Sequence, residues 1–348
     1  MREVPRLMKR HLLIWFGLAA ALIVQAALPA LPDLGNPRIV VLANNLQNYY
    51  IHPNTGRGDY TDEEIATKTS RIAEAMVTSD ADVFAFCEVE AKPDVLEHLA
   101  AAMNTKAGQA NLYVALNDGI DEDWDDYYNN NIKAGYIYRA DKVQPYAGNY
   151  YAKGVTYYKN VMRIQAWEEL STGERFTLSM NHFKAKMDAS SVAKRVENAT
   201  WLVTALENTR YVKDPDILVM GDFNAQMDEE CISIILEAGF DEQLLRFDED
   251  AYSYKYNGSP ELIDHAFANS TMSEQITGAA VWHTNTSQSY KYRYSDHDAV
   301  LVGLRLGNDP QGVESVMGGQ NAQKILRQGQ LIIIRGGVEY TVTGQRLY

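Results

Sequence analysis

Polar side chains of the kinds that move protons and bind cations border short apolar runs along the chain. Carboxylate and amide oxygens are suitable ligands for Mg²⁺ or Ca²⁺, imidazoles exchange protons near neutral pH, and amide N–H groups bind phosphate oxygens. A single polar residue at a strand end usually serves to form a turn, but a set of them in one chain predicts a shared polar site. The set is Asn45, Glu88, His182, Asp222, Asn224, Asp264, His265, Asp296 and His297.

Buried strands are needed to bring these residues together. The loop after a strand exposes side chains on a fixed backbone, so open sheets collect active sites there. Most members of the set follow an apolar run, and Asp296-His297 precedes one. Runs that predict strands are Ile39–Ala43, Val83–Phe86, Phe176–Met180, Ile217–Met220, Leu262-Ile263 and Ala299–Leu304.

Helices are predicted between the strands. Thr61-Asp-Glu-Glu64 has the pattern of a capping box and begins a helix that ends before Asp80. Ser191–Arg210 has apolar residues at helical spacing along one side. Strands interspersed with helices predict an α/β or α+β fold, and the sequence has no internal repeat.

Composition sets limits on partners and on the kind of fold. The chain has 348 residues, 46 % of them hydrophobic, which supports a sizeable core and excludes global disorder. The formal net charge of −14 argues against a protein that coats nucleic acid through bulk positive charge. Two cysteines, Cys87 and Cys231, exclude a disulfide framework.

Both ends of the chain differ from its body. A signal peptide is predicted over residues 1–30 from basic residues, the 13-residue apolar run Leu12–Val24 and a small-residue cleavage site before Ala27. The alternative is an uncleaved membrane anchor. Removing it takes away four basic residues and one acidic residue, so the mature charge becomes −17. Residues 31–306 form the predicted catalytic domain and 307–323 a linker.

Residues 324–348 predict a C-terminal β-hairpin tail, because Gly336-Gly337 separates Gln330–Arg335 from Val338–Thr343. The tail weakly resembles the C-terminal segments of some secreted Gram-negative proteins, where it would be a sorting segment. Together the two ends predict export: secretion, the periplasm or the outer surface of a Gram-negative bacterium.

Six short blocks then match one family in order, over residues 39–306. The chain resembles the endonuclease/exonuclease/phosphatase superfamily, and most closely its bacterial secreted nuclease branch. This resemblance implies a four-layer sandwich of two packed mixed β-sheets flanked by helices. The blocks are Asn45-Leu-Gln-Asn48, Phe86-Cys-Glu88-Val-Glu90, Asn181-His182-Phe-Lys184, Gly221-Asp222-Phe-Asn224, Ile263-Asp264-His265 and Ser295-Asp296-His297-Asp298.

The resemblance also implies a divalent-metal site, with Mg²⁺ as the expected ion and Ca²⁺ or Mn²⁺ as alternatives. Glu88 would be the main metal ligand, with Asp296 as a second carboxylate and Asn45 beside them. His297 and Asp264 would be the pair in which a carboxylate orients an imidazole near the attacking water. Asp222 would position or activate the nucleophile, or handle the leaving-group proton.

The remaining implied roles concern phosphate. Asn45 and Asn224 would hold phosphate oxygens or Asp222, and His182 would contact the phosphate. Lys133 and Arg163 resemble basic positions that face phosphates. Gln47 departs from the family, since some members carry a carboxylate there.

Two further segments have open interpretations. Asp121–Asp126 is acidic and is either a solvated loop or an accessory Ca²⁺ site. Tyr252-Ser-Tyr-Lys-Tyr256 and Tyr290-Lys-Tyr-Arg-Tyr294 place rings on one strand face, where they could stack on bases or pack against a half-exposed sheet.

Three functions are compatible with these residues. The first is a secreted, divalent-metal-dependent phosphodiesterase that hydrolyses nucleic acid as an endonuclease. The second keeps the chemistry but acts on a phospholipid, an inositol phosphate or a small phosphoester. The third is a catalytically silent surface binding module. No stable protein partner is implied.

Overall fold

The computed structural model describes residues 28–52, 60–117, 132–151, 162–289 and 292–307, together with four strand segments after residue 322. Residues 1–27 of the predicted signal peptide, the acidic segment Asp121–Asp126 and residues 308–322 of the predicted linker lie outside these ranges. Among the described helices, none combines the length and the apolar character needed to cross a membrane.

Strands with interspersed helices make up the body of the chain. Its elements are β1 (Ile39–Tyr49), α1 (Asp62–Ser79), β2 (Val83–Glu90), α2 (Asp94–Ala107), β3 (Tyr113–Ala115), β4 (Ile132–Arg139), β5 (Val143–Tyr151), β6 (Met162–Glu169), β7 (Arg175–His182), α3 (Ala189–Leu206), β8 (Ile217–Asp222), α4 (Glu230–Glu237), β9 (Phe240–Glu242), α5 (Leu244–Phe247), β10 (Tyr254–Tyr256), β11 (Ser259–Glu261), β12 (Asp264–Asn269), α6 (Ser270–Ser273), β13 (Ile276–Trp282) and β14 (Ala299–Leu304).

Two six-stranded mixed sheets carry the site. The first has the order β13-β14-β1-β2-β4-β3 and the second β5-β6-β7-β8-β12-β9, while β10 and β11 form a separate hairpin. The central pair of each sheet, β1 with β2 and β7 with β8, is parallel. β14 and β12 then pair antiparallel to β1 and β8. The start of each antiparallel strand therefore lies beside the end of its neighbour.

Alternation along β1 separates two apolar layers. Ile39, Val41 and Ala43 lie in a cluster that also contains Leu178 and Met220 of the second sheet. Leu42 instead belongs to a cluster with residues of α1 and α2. A third cluster joins α3 and α4 to the second sheet. The layers run helix, sheet, sheet, helix, which confirms the predicted sandwich.

The predicted elements are present with different bounds. The capping box is confirmed, because Thr61 accepts from Glu64 N and the Glu64 side chain reaches back to the Thr61 backbone. The helix predicted as Ser191–Arg210 is Ala189–Leu206, with Asp188 capping its start. Four predicted strands extend two to six residues further at their carboxyl ends, since cross-strand pairing continues through polar residues such as Asn45 and His182.

The chain divides into two compact units, Met1–Gly307 and Asn308–Tyr348. In the second unit, Arg335 pairs with Val338 across the predicted hairpin. Its strands β15 (Gln323–Arg327), β16 (Gln330–Arg335), β17 (Val338–Thr341) and β18 (Arg346–Leu347) form a four-stranded antiparallel sheet. The sequence prediction missed β15 and β18, and it placed Gln323 in the linker.

Candidate active site

The site lies where strand ends of both sheets meet. Asn45, Glu88, His182 and Asp222 occupy the carboxyl-terminal parts of β1, β2, β7 and β8. The prediction that Leu262-Ile263 is a strand preceding Asp264 is wrong, because Asp264 begins β12. Antiparallel pairing of β12 with β8 sets Asp264 directly opposite Asp222.

Unusual backbone conformations aim several of these side chains. Glu88 has φ 53° and Asn224 φ 49°, in the left-handed region that asparagine tolerates better than glutamate. Gly221 has φ 135°, and a Cβ there would lie 2.1 Å from the carbonyl oxygen of Asn181. Only glycine fits between β7 and β8 at that point, which accounts for the Gly-Asp block physically.

Asp222 lies at the centre of the cluster. Its Oδ2 accepts from Asn45 Nδ2 at 2.9 Å and from Asn224 Nδ2 at 3.1 Å, and its Oδ1 accepts from Asn224 N at 2.8 Å. Burial raises the pKa of this carboxyl, with the nearby Asp264 charge acting in the same direction. The two asparagines therefore fix one carboxylate in a chosen orientation.

Asp264 and His297 form a buried pair. His297 Nδ1 lies 2.7 Å from Asp264 Oδ2, and His297 Nε2 lies 3.9 Å from Asp222 Oδ2. Burial lowers the pKa of His297, but the Asp264 and Asp222 charges outweigh that effect and raise it well above its ordinary value. Because Nδ1 is engaged with Asp264, Nε2 is the nitrogen available to the reacting groups.

Glu88 and His182 form the second part of the cluster. Glu88 Oε1 lies 3.2 Å from Asn45 Nδ2 and 3.5 Å from His182 Nε2, and Glu88 Oε2 accepts from Asn48 N. Burial raises the pKa of Glu88, but His182 and Asn45 outweigh this and lower it overall. His182 Nε2 is buried without a hydrogen-bond partner among the described residues and lies 3.7 Å from Asp222 Oδ2.

This arrangement fits a divalent cation. Donor atoms of Glu88, His182 and Asp222 all lie within 4.8 Å of one another, as do those of Asp222, Asp264 and His297. The first group offers an unpartnered nitrogen, whereas the His297 nitrogen nearest Asp264 is already bonded. Asp296 is half-buried nearby, and its pKa is raised by burial and by the Glu88 and Asp222 charges despite the opposing effect of His297. Such crowding of carboxylates favours a bound cation.

Lys133 and Arg163 were predicted to face a phosphate, but both side chains are buried inside the protein. Both are 1 % exposed. Lys133 Nζ donates to the Lys92 carbonyl at 2.6 Å, and Arg163 Nη1 approaches the Ala134 carbonyl at 3.5 Å. They occupy β4 and β6, where Lys133 pairs with Val89 and Arg163 with Met180.

Sequence reasoning missed several residues that support the cluster. Lys68 Nζ donates to the Gln47 carbonyl at 2.6 Å. Asn285 Nδ2 donates to the His297 carbonyl at 2.7 Å, and its Oδ1 accepts from the backbone N–H groups of Tyr294 and Ser295. Ser253 contacts Asp264. Lys68 lies on a helix and Asn285 and Ser253 lie in loops, and none of them belongs to a recognisable catalytic motif. Only Ser253 fell within a segment that the sequence singled out, Tyr252–Tyr256.

The fold and the site together define an α/β sandwich of two mixed sheets with a cluster of carboxylates and imidazoles at the strand ends. The family model described as "Endonuclease/Exonuclease/phosphatase family" matches residues 54–297, more than half of the chain. The chain therefore belongs to this family, whose members are in general metal-dependent phosphoesterases. No curated protein sequence matches it.

Solved structures share the fold at low identity. An endonuclease/exonuclease/phosphatase from Bacteroides vulgatus has a TM-score of 0.56 at 14 % identity, covering 77 % of this chain and 99 % of that one. A mannosyl-6-phosphatase of Bacteroides thetaiotaomicron has a TM-score of 0.53 at 18 % identity, covering 77 % and 100 %. TDP2 of D. rerio complexed with a single strand DNA product has a TM-score of 0.52 at 12 % identity, covering 77 % and 98 %.

Proposed function

We propose that the protein is an exported, divalent-metal-dependent phosphodiesterase that hydrolyses nucleic acid as an endonuclease. One observation carries the proposal: Asp222 lies within 4 Å of both His182 Nε2 and His297 Nε2 while two asparagines hold it. A carboxylate between two imidazoles can serve both the attacking water and the leaving oxygen. A surface binding module has no need for that arrangement.

Glu88, with Asn45 and Asp296 beside it, would hold the cation. Oxygen donors favour Mg²⁺, with Ca²⁺ or Mn²⁺ as alternatives. A cation held there would stabilise the negative charge that develops on the phosphate oxygens. His182 Nε2 makes no hydrogen bond among the described residues and lies 3.5 Å from Glu88 Oε1, so we assign it to a phosphate oxygen beside the ion rather than to the ion itself.

Proton movement falls to the group formed by Asp264, His297 and Asp222. Asp264 holds His297 through Nδ1, so Nε2 can give or take a proton at the reacting centre. Asp222, 3.9 Å from that nitrogen, positions the attacking water or receives its proton. Lys133 and Arg163 would contribute positive potential from beneath the phosphate rather than direct contact, given their burial.

Nucleic acid as the substrate is supported by the ring of Tyr256, which is 59 % exposed and could stack on a base, and by the fold shared with a protein complexed with a single strand DNA product. The net negative charge predicts that nucleic acid binds weakly away from the site and that divalent ions are needed for attraction as well as for chemistry. A phosphomonoester is the second candidate, since a mannosyl-6-phosphatase shares the fold.

One assay separates these functions. Purified protein lacking residues 1–30 is incubated with plasmid DNA, RNA, sphingomyelin, a soluble inositol phosphate and a sugar 6-phosphate, with Mg²⁺ or with EDTA. We expect Mg²⁺-dependent nicking of the plasmid. Cleavage of only the lipid or only a phosphomonoester would assign that compound class as the substrate instead of nucleic acid. No product from any of the five substrates would favour the binding module.

Export is proposed from the leader and tail of the sequence. Expression of the full chain in a Gram-negative host, followed by fractionation and N-terminal sequencing, tests it. We expect a new N-terminus close to Ala27 in the exported fraction. An intact leader in the membrane fraction would favour the anchor.

A further inference from the structure

Ser253 is completely buried directly behind Asp264. Its Oγ lies 2.7 Å from Asp264 Oδ2, and the same Oδ2 lies 2.7 Å from His297 Nδ1. One carboxylate oxygen therefore receives a hydroxyl on one side and an imidazole N–H on the other. The three side chains form a continuous chain of hydrogen bonds.

Backbone groups fix the direction of the hydroxyl. Ser253 Oγ accepts from Asp264 N at 3.0 Å and from Ile263 N at 3.3 Å. A serine hydroxyl has two lone pairs and one hydrogen. With both lone pairs engaged, its hydrogen is left for Asp264 Oδ2. The serine is a donor whose orientation does not depend on solvent.

The same segment touches the histidine and its loop. The carbonyl of Ser253 accepts from Asp298 N at 2.8 Å. The ring of Tyr254 lies over His297 with centroids 4.8 Å apart and planes inclined by 36°. Two consecutive residues thus contact the acid, the imidazole ring and the residue after the imidazole.

We propose that Ser253 is a positioning residue, whose hydroxyl holds Asp264 in the orientation that receives the Nδ1–H of His297 and so directs Nε2 toward Asp222. The catalytic part of this inference rests on the proposed phosphodiesterase function. The sequence pattern of the Tyr252–Tyr256 segment drew attention to its tyrosine rings. The residue that positions Asp264 is instead Ser253, which lies between two of those rings.

Three variants test the role in activity. Ser253→Ala removes the donor, Ser253→Thr keeps a hydroxyl, and Ser79→Ala is the matched control. Ser79 is also a buried serine, whose hydroxyl donates to the Met76 carbonyl and accepts from Ala81 N. We expect Ser253→Ala to lower kcat about tenfold with little change in KM, because the lost hydrogen bond is to a charged group. Ser253→Thr should recover most of that loss, and Ser79→Ala should lose stability only.

Proton NMR tests the geometry without any substrate. The Nδ1–H resonance of His297 is assigned by its absence from His297→Gln. We expect it to be displaced or lost to solvent exchange in Ser253→Ala and to remain in place in Ser79→Ala. An unchanged resonance together with an unchanged kcat would overturn the proposal. If wild-type protein hydrolyses nothing, the proposed function fails, while the resonance still decides whether Ser253 positions the pair.

Discussion

The two halves of the candidate site are held in place differently. The acid–base half, Asp264 and His297, is 3 % and 6 % exposed and is bonded internally at 2.7 Å. The cation half, Glu88, His182 and Asp296, is only partly buried, and its His182 Nε2 makes no hydrogen bond within the part of the chain that the structure describes. In the acid–base half, the hydrogen bonds are satisfied by other protein groups. The cation half has excess negative charge, and its His182 nitrogen is available to a ligand. We therefore expect the cation half to depend on solution conditions and the acid–base half to depend on packing.

The largest effect is expected at the cation half. Glu88→Gln keeps the size of the side chain but removes the charge that holds the ion. We expect kcat to fall by about 1,000-fold or more, since charge stabilisation of the transition state is lost. Initial rates measured over a Mg²⁺ titration provide the test.

Calorimetry shows whether the halves are separable. Mg²⁺ should raise the melting temperature of the wild type by binding only the folded state, and it should not raise that of Glu88→Gln. His297→Gln is the control and should keep the Mg²⁺ shift. If Mg²⁺ no longer raised the melting temperature of His297→Gln, the two halves would act as one unit and would not be held in place independently.

The second effect concerns the acid–base half. His297→Gln removes the nitrogen that exchanges the proton, and we expect kcat to fall by about 100- to 10,000-fold. A second His–Asp pair adjoins the site, because His283 Nδ1 lies 2.8 Å from Asp298 Oδ2, and the His283 side chain is 33 % exposed. His283→Gln should keep kcat close to that of the wild type. Equal losses of kcat in both variants would mean that each His–Asp pair supports the folded structure and that His297 has no special role in proton exchange.

The sequence predicted two helices, α1 and α3, several strands and the polar residues at strand ends because each leaves a local pattern. The arrangement of two packed sheets was implied by the family resemblance instead. Apolar runs predicted β1, β2, β8 and β14, and polar residues after them predicted where chemistry collects. Asp264 was expected after a strand and instead begins one. The error had a limited consequence, since antiparallel pairing brings the start of β12 to the end of β8.

Supporting residues could not be found in that way. Ser253 lies more than ten positions from Asp264 and more than forty from His297, and no spacing rule links them. Asn285 and Lys68 act on backbone carbonyls, which carry no sequence signal. Their roles depend on tertiary contacts between loops, so they appear only when the two sheets are packed together.

A carboxylate at the opposite end of β2 provides a contrast with Glu88. Asp82 is 4 % exposed and accepts from Val40 N at 2.9 Å, and burial raises its pKa to about 6. Because the folded-state pKa exceeds the unfolded value, stability falls as pH rises from about 4 to 6 and stays lower above that range. Asp82→Asn should therefore raise the free energy of unfolding by about 2 kcal/mol at pH 8 and by almost nothing at pH 4.

Denaturant unfolding at the two pH values measures this difference. Asp80→Asn is the control, since Asp80 also contacts Arg139 but its side chain is 79 % exposed. It should change stability little at either pH. Asp82→Asn should leave hydrolysis unchanged. An equal stability gain at pH 4 and pH 8 would assign the effect to packing rather than to a buried charge.

The smallest effect concerns Lys68, a fixed cation beside the cation half. Its ammonium group donates to the Gln47 carbonyl, and Gln47 and Asn48 both have positive φ in the turn that presents Asn48 N to Glu88. Burial lowers the pKa of Lys68 to about 8, although the Glu88 and Asp296 charges oppose that change. Below pH 8 the ammonium repels an incoming metal ion, and above it this repulsion fades. Wild-type affinity for Mg²⁺ should rise roughly fivefold between pH 7 and 9, as expected for a partly screened charge pair.

Lys68→Gln separates this repulsion from the support that the lysine gives to the turn. Titration calorimetry should find tighter Mg²⁺ binding than wild type at pH 7 and a weaker dependence on pH up to 9. Lys106→Gln, at an exposed lysine that pairs with Glu74, should behave as wild type. Weaker binding in Lys68→Gln at every pH would mean that the lysine serves mainly to hold the Gln47–Asn48 turn. In that case the cation half, like the acid–base half, would depend on packing, and the difference between the halves would be one of charge alone.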